Sequence, residues 1–284
     1  MSRSRAGASG VPRKQERNMM GTAMATTAVI PYTTLLQQFK AAPPGKLYCL
    51  HGGASVFRLS LYAAGHALFN GVPITLIDGT NRFDVYYLAD FARTVARRYR
   101  HQHSPTPEQL LERIFVARAF TCYQMEATIT ERLPAFLRRS RSPVVIIFGL
   151  LDTFYDEQAP MFEVRAGLQR IVAALHRLKR ENISVLLASL DMKLESKERN
   201  GLFPRLISAM DQVFSVTENE GTVRILCDPT GRQECRTTNG NHRVIQERVM
   251  YGKNSTDIHA GNRTGDGELV KVPAGAPQRR PGGA

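Results

Sequence analysis

The sequence predicts an α/β protein whose mostly parallel sheet is covered by helices on both faces. Three observations lead to this class. Short apolar segments of strand length alternate with longer segments whose apolar residues recur at helical spacing. One apolar segment, Val144–Phe148, contains no polar residue, which is typical of a strand buried on both faces. The last two apolar segments are close enough in sequence to form an antiparallel hairpin at one edge of the sheet.

Each element has its own signal in the sequence. The parallel strands are predicted at residues 46–50, 73–78, 114–119, 144–148 and 183–189, and the hairpin at 211–217 and 222–227. The helices are predicted at residues 55–70, 84–100, 105–111, 123–138 and 163–180. Gly71 ends the first helix, Pro105 suits the first position of the third, and Pro134 is expected to kink the fourth.

The chain is strongly basic, with 38 Lys and Arg residues against 25 Asp and Glu and a formal net charge of +13 over 284 residues. This balance favours an acidic partner, and nucleic acid is the commonest one; the alternative is an inert basic surface. Both ends are polar and lack an apolar period. We therefore expect a disordered basic arm at residues 1–28, a core at 29–230 and a mostly disordered tail at 231–284.

Cysteine usage and apolar run length limit the environment of the chain. Four scattered cysteines predict reduced thiols rather than a secreted disulfide scaffold. Neither Cys49 with His51 nor Cys227 with Cys235 and His242 has the paired spacing of a zinc site, so no metal site is predicted. The longest apolar run, residues 144–151, is far shorter than the roughly 20 residues of a membrane helix. We expect a cytoplasmic protein without membrane contact, and association with the nucleoid stays open.

Four stretches within residues 45–228 carry a recurring order of motifs. They are Ile77–Asp78 with Phe83, the segment FVARAF at 115–120 with Thr121 and Gln124, the apolar strand at 144–154, and Arg165, Leu168 and Arg170 on the following helix. In order and spacing they resemble the RecA-like strand-exchange recombinases, most closely the archaeal and eukaryotic members and their paralogues. The resemblance implies a three-layer RecA-like sandwich, and it implies that 115–120 lies near a subunit-docking surface.

The sequence departs from that family at three catalytic elements. The phosphate-binding loop needs glycines, a Lys and a hydroxyl, but Phe57 stands where the second glycine belongs and is followed by Arg58 and Leu59. Thr80 occupies the place of the glutamate that activates water. Phe148–Gly149 stands where the aspartate of the Walker B strand belongs. We therefore expect a pseudo-ATPase without turnover.

A degenerate nucleotide pocket is still predicted where the loop would lie. Its residues are Gly52, Gly53, Ser55, Arg58 and Asp78. Weak binding of ATP and Mg²⁺ stays open, because Arg58 could contact a phosphate at a helix N-terminus; the alternative is a solvated first-turn arginine. Asp78, Asp152, Asp156 and Glu157 could hold Mg²⁺, although Asp78 is also a natural turn cap.

The segment 192–210 follows a buried strand, where RecA-like proteins place their second DNA-binding loop. Basic residues there would follow phosphates, and an aromatic residue could stack on a base; the alternative is a solvated loop and a short helix with Phe203 and Leu206 packed inside. The DNA-binding candidates are Arg165, Arg170, Lys193, Lys197, Arg199, Phe203 and Arg205.

These observations predict a non-catalytic RecA-like paralogue that serves as an accessory factor in DNA recombination or repair. It would bind DNA, preferably single-stranded, or a RecA-family recombinase, and homo-oligomers stay open. Two alternatives remain at this stage: a Mg²⁺-dependent nucleotide hydrolase using Asp78 and Asp152, and a regulatory scaffold that binds protein without DNA.

Overall fold

The computed structural model describes residues 45–99, 104–156, 158–219, 222–228 and 270–271. The strands are β1 (Leu47–Gly52), β2 (Ile74–Asp78), β3 (Ile114–Arg118), β4 (Val144–Phe148), β5 (Ser184–Leu190), β6 (Gln212–Asn219), β7 (Thr222–Asp228) and the two-residue β8 (Val270–Lys271). The α-helices are α1 (Ser55–Phe69), α2 (Val85–Tyr99), α3 (Pro107–Leu111), α4 (Cys122–Ala127), α5 (Leu133–Ser140), α6 (Met161–Arg180), α7 (Lys197–Asn200) and α8 (Leu202–Ile207).

The strands form one mixed sheet in the order β7-β6-β1-β5-β4-β2-β3-β8. Strands β1 to β6 are mutually parallel wherever they pair, and β7 returns antiparallel to β6. The short β8 pairs antiparallel with β3, where Val116 faces Val270. The predicted α/β class, with a mostly parallel sheet and an antiparallel hairpin, is therefore confirmed.

Two apolar cores cover the two faces of the sheet. One contains Val144, Ile146 and Phe148 of β4 with residues of α1, α2 and α3, and the other contains Val145 and Ile147 with residues of α4, α5, α6 and α8. Alternate side chains of β4 thus enter opposite cores. This arrangement explains why the strand has no polar residue, since neither face of it meets water.

Two helices differ from their predicted form for local reasons. The third helix begins at Pro107 rather than Pro105, because the Thr106 side chain accepts from the backbone N–H of Gln109 and the Gln109 side chain accepts from Thr106 in return. The fourth helix is divided by a π-helical turn, Thr128–Arg132. Pro134 has no N–H to offer the carbonyl of Thr130, and Arg177 donates to that carbonyl instead at 3.2 Å.

Most residues near the two ends of the chain lie outside the described ranges. The predicted arm 1–28, residues 29–44 of the predicted core and most of the predicted tail 231–284 lie outside the described residues. Val270–Lys271, assigned to the tail from the sequence, form β8. Within the described ranges, every helix is too short or too polar to cross a membrane.

Candidate functional site

The candidate site lies at the sheet edge where the parallel strands end. The turns after β1, β2 and β4 and the loop after β5 all leave the sheet at this edge, which is where open α/β sheets bind ligands. All the predicted pocket and loop residues that follow these strands are therefore brought to one side of the molecule. Their individual environments differ sharply.

The turn after β1 is too short to wrap around a phosphate group. Only Gly53 and Ala54 separate β1 from α1, so Phe57 and Arg58 already lie within the helix. Phe57 is 3% exposed and packs edge-on against Phe148 of β4, with ring centroids 5.1 Å apart. Apolar packing therefore fills the space beside the turn, and the backbone N–H groups of a long glycine-rich loop are missing.

The predicted pocket residues around this turn have separate roles. Gly52 has a φ of +147°, and a Cβ there would lie 2.1 Å from the carbonyl oxygen of Val216, so close approach to β6 requires glycine. Among the described residues, Ser55 Oγ is buried and finds no hydrogen-bond partner. The Arg58 guanidinium lies over the Tyr87 ring at 5.4 Å from its centroid.

Asp78 organises the turn after β2. It is fully buried, and its carboxylate accepts hydrogen bonds from the backbone N–H groups of Thr80, Arg82 and Phe83 at 2.9–3.1 Å. The Thr80 hydroxyl lies 3.4 Å from the same carboxylate. These bonds give Asp78 the turn-capping role that the sequence left as an alternative, and they engage both of its carboxylate oxygens.

A small cavity lies between the starts of α1 and α2. Its volume is about 180 Å³, below the roughly 300–1,000 Å³ of typical small-molecule pockets. It is lined by Ala54, Phe57, Arg58, Leu61, Arg82, Asp84 and Tyr87. The space suits a single small group rather than a whole nucleotide.

A half-buried carboxyl group, that of Asp152, lies shortly after the end of β4. Gly149 has a φ of +59°, and a Cβ there would lie 1.9 Å from Thr80 Cγ2 and 2.8 Å from an Asp152 oxygen. Burial raises the pKa of Asp152 above its usual range, and the nearby Arg82 opposes this shift. Its Oδ1 has no hydrogen-bond partner among the described residues.

A magnesium site is not assembled from the described residues. No group of three His, Cys, Asp or Glu side chains in that part of the chain is placed to hold a metal ion. Glu157, Cys235 and His242 lie outside it.

Arg199 anchors the loop after β5 instead of facing solvent. It is 6% exposed, and its guanidinium donates to the carbonyls of Phe154 at 2.7 Å and Ala159 at 2.8 Å. The side chain therefore ties α7 to the segment that follows β4. We leave Arg199 out of the candidate nucleic-acid surface, because its donors are directed at backbone oxygens inside the protein.

The other residues of this loop divide into exposed and packed positions. Lys193, Lys197 and Arg205 are exposed. Phe203 is half-buried, contacts the second core and packs edge-on against His51, with ring centroids 5.1 Å apart. The packed alternative for Phe203 therefore describes its environment. The three exposed cations, called here the basic loop, are interspersed with the exposed carboxylates of Asp191, Glu195 and Glu198.

The two DNA-binding candidates on α6, Arg165 and Arg170, belong to ion pairs. Arg170 grips Glu126 of α4 through two hydrogen bonds, with Nη2 donating to Oε2 at 3.0 Å. Arg165 pairs with Glu198 of α7 at 3.5 Å, and both side chains are substantially exposed. Arg170 thus joins two helices, and Arg165 lies beside the basic loop with its charge partly compensated.

Sequence reasoning missed the pairing of His51 with Asp191. His51 Nδ1 lies 2.8 Å from Asp191 Oδ1, joining the end of β1 to the residue after β5. The signal that could have found it is positional, since both residues lie at the ends of strands that are neighbours in the sheet.

A search with protein-family models finds no match to the chain, and a search of the curated proteins finds none either.

Proposed function

We propose that this chain is a non-catalytic RecA-like accessory factor of DNA recombination or repair, and that it binds single-stranded DNA through the basic loop. The observation that carries the proposal is the contrast between the turn after β1 and the loop after β5, which lie at the same end of the parallel strands. Lys193, Lys197 and Arg205 present exposed positive charge where the phosphate-binding turn is closed. Exposed lysines and arginines attract the phosphate backbone without reading base sequence.

The geometry of the β1 turn supports the absence of turnover. Only two residues separate β1 from α1, the helix that would follow a phosphate-binding loop. Phe57 packs where that loop would turn. Thr80 and Gly149 stand at the positions where the family carries its acidic residues. A chain of this kind would act through its surfaces rather than through hydrolysis.

The sheet order supports a RecA-like arrangement and a role in assembly. Strand β3 is the last long strand at its end of the sheet order. Among the described residues, the short β8 pairs with two of its five residues, Phe115 and Val116. Unpaired edge strands accept strands from other chains. Docking of a recombinase beside β3 is the second contact that we propose for this factor.

The basic loop is tested by fluorescence anisotropy of a labelled 30-nucleotide oligothymidine against the full chain. We expect Lys193→Ala, Lys197→Ala and Arg205→Ala together to weaken binding about tenfold and to reduce the salt slope by about two. The matched control replaces Arg138, Arg139 and Arg180, three exposed arginines at the helix ends that precede β4 and β5, and therefore at the opposite end of the strands. Equal losses in both triple variants would reject the basic loop as the DNA site.

A further inference from the structure

Three exposed aromatic side chains lie at the starts of two helices, outside the basic loop. Phe162 is 72% exposed, Phe120 56% and Tyr123 52%. Phe120 precedes α4, Tyr123 lies in its first turn, and Phe162 lies in the first turn of α6. A hydrogen bond from the Tyr123 hydroxyl to Glu163 joins the two helix starts. We call Phe120, Tyr123 and Phe162 the aromatic surface.

Two carboxylates, Asp156 and Glu163, lie near Tyr123 of the aromatic surface, although the chain as a whole is strongly basic. The hydrogen bond with Glu163 raises the pKa of Tyr123 to about 12, and the charge of Asp156 acts in the same direction. Asp156 also raises the pKa of the neighbouring Cys122, where burial is the larger cause. Asp156 and Glu163 therefore both lie close to the aromatic surface.

Neither carboxylate is balanced by an ion pair among the described residues. The four ion pairs found there use Asp191, Glu198, Glu126 and Asp211. Glu163 accepts only a neutral hydroxyl, and Asp156 accepts the backbone N–H of Gln158 at 3.0 Å. The surface thus combines exposed rings with negative charge on an otherwise basic molecule.

We propose that the aromatic surface docks a basic, arginine-bearing segment of a partner protein. Guanidinium groups stack on aromatic faces and pair with carboxylates, so both features of the surface favour the same side chain. Exposed aromatic residues are also typical anchors of protein interfaces. Nucleic acid is disfavoured here, since its phosphates would meet Asp156 and Glu163. The inference does not depend on the proposed DNA contact, because the two surfaces share no residue.

The probe is a fluorescein-labelled 12-residue peptide of alternating arginine and leucine, titrated into the full chain at low salt. A peptide of alternating glutamate and leucine controls for apolar binding alone. We expect the arginine peptide to bind at least tenfold more tightly than the glutamate peptide. Equal binding of the two peptides would overturn the proposal.

Matched variants locate the peptide on the molecule. We expect Asp156→Asn with Glu163→Gln, and separately Phe162→Ala, each to weaken the arginine peptide about fivefold. Glu112→Gln with Glu181→Gln makes the same charge change at exposed sites at the opposite end of the sheet, and Tyr86→Ala removes another exposed aromatic ring; both should stay within about twofold of the wild type. Losses that match these controls would also overturn the proposal.

Discussion

The turn after β1 and the loop after β5 leave neighbouring strands at the same edge of the sheet, yet they differ in almost every physical respect. The turn is two residues long and beside it Phe57 packs against the ring of Phe148. The loop is longer and carries exposed charges. The buried Arg199 ties it to the segment after β4, and Leu202 and Leu206 pack into the second core. The turn after β1 therefore contributes to the core, whereas the loop after β5 exposes charged side chains to solvent.

For the function that we propose, the comparison shows how two neighbouring segments of one sheet could differ in the ligand that they accept. Closing the β1 turn removes the backbone donors that would hold a compact polyphosphate. Keeping the β5 loop anchored preserves exposed cations for an extended polyanion, which needs no cavity. This comparison would fail if Phe57 contributed little to stability, or if Arg199 contributed no more to stability than an exposed neighbour.

The largest expected effect is at the turn. Phe57→Ala should lower the free energy of unfolding by about 3–5 kcal/mol, because it removes a buried ring and leaves a cavity against Phe148. Urea denaturation followed by circular dichroism measures the change. Tyr86→Ala, on an exposed ring, should change it by less than about 0.5 kcal/mol. A loss below about 1 kcal/mol for Phe57→Ala would mean that the turn is not part of the core.

The next effect is at the anchor of the loop. Arg199→Ala should lower the free energy of unfolding by about 2–4 kcal/mol, because the buried carbonyls of Phe154 and Ala159 lose their donors. The neighbouring exposed Lys197→Ala serves as control and should cost less than about 0.5 kcal/mol. Equal stability of the two variants in urea would show that Arg199 is not an anchor.

The smallest effect concerns the carboxyl group of Asp152, which follows β4. Because burial raises the pKa of Asp152, the folded chain holds its proton to higher pH than the unfolded chain. The free energy of unfolding therefore decreases as pH rises from the unfolded to the folded pKa. Asp152→Asn removes this cost, and should raise Tm by about 1–3 °C at neutral pH and leave it unchanged well below the unfolded pKa.

Thermal melts at several pH values measure that difference. The exposed Asp90→Asn variant is the control and should leave Tm unchanged at every pH. A pH-independent increase for Asp152→Asn would assign the effect to packing rather than to the charge of a buried carboxylate.

Much of the architecture follows from local sequence signals, whereas the site depends on contacts between distant residues. The apolar run of β4 and the spacing of α6 identify buried elements because each carries its own period. The polar segment that contains Arg199 has no such period. Its burial is decided by carbonyl groups 40 and 45 residues earlier in the chain, and no local pattern marks them.

The turn after β1 lies between these cases. Counting from Gly52 predicts the loss of the second glycine and the lysine, and the sequence alone identifies Phe57 as the intruding residue. The start of α1 at Ser55 also agrees with the helix predicted at residues 55–70. It follows from apolar side chains of the helix that pack into the core from its first turn.

The central claim is that DNA contact at this sheet edge operates without a nucleotide. Its most direct test is the affinity of the full chain for labelled oligothymidine, measured by anisotropy over a range of salt with and without Mg-ATP. The account predicts salt-dependent binding whose affinity is the same, within about twofold, in both conditions. An affinity that changes tenfold or more with Mg-ATP would show that the closed turn still communicates with a bound nucleotide, and would contradict the account.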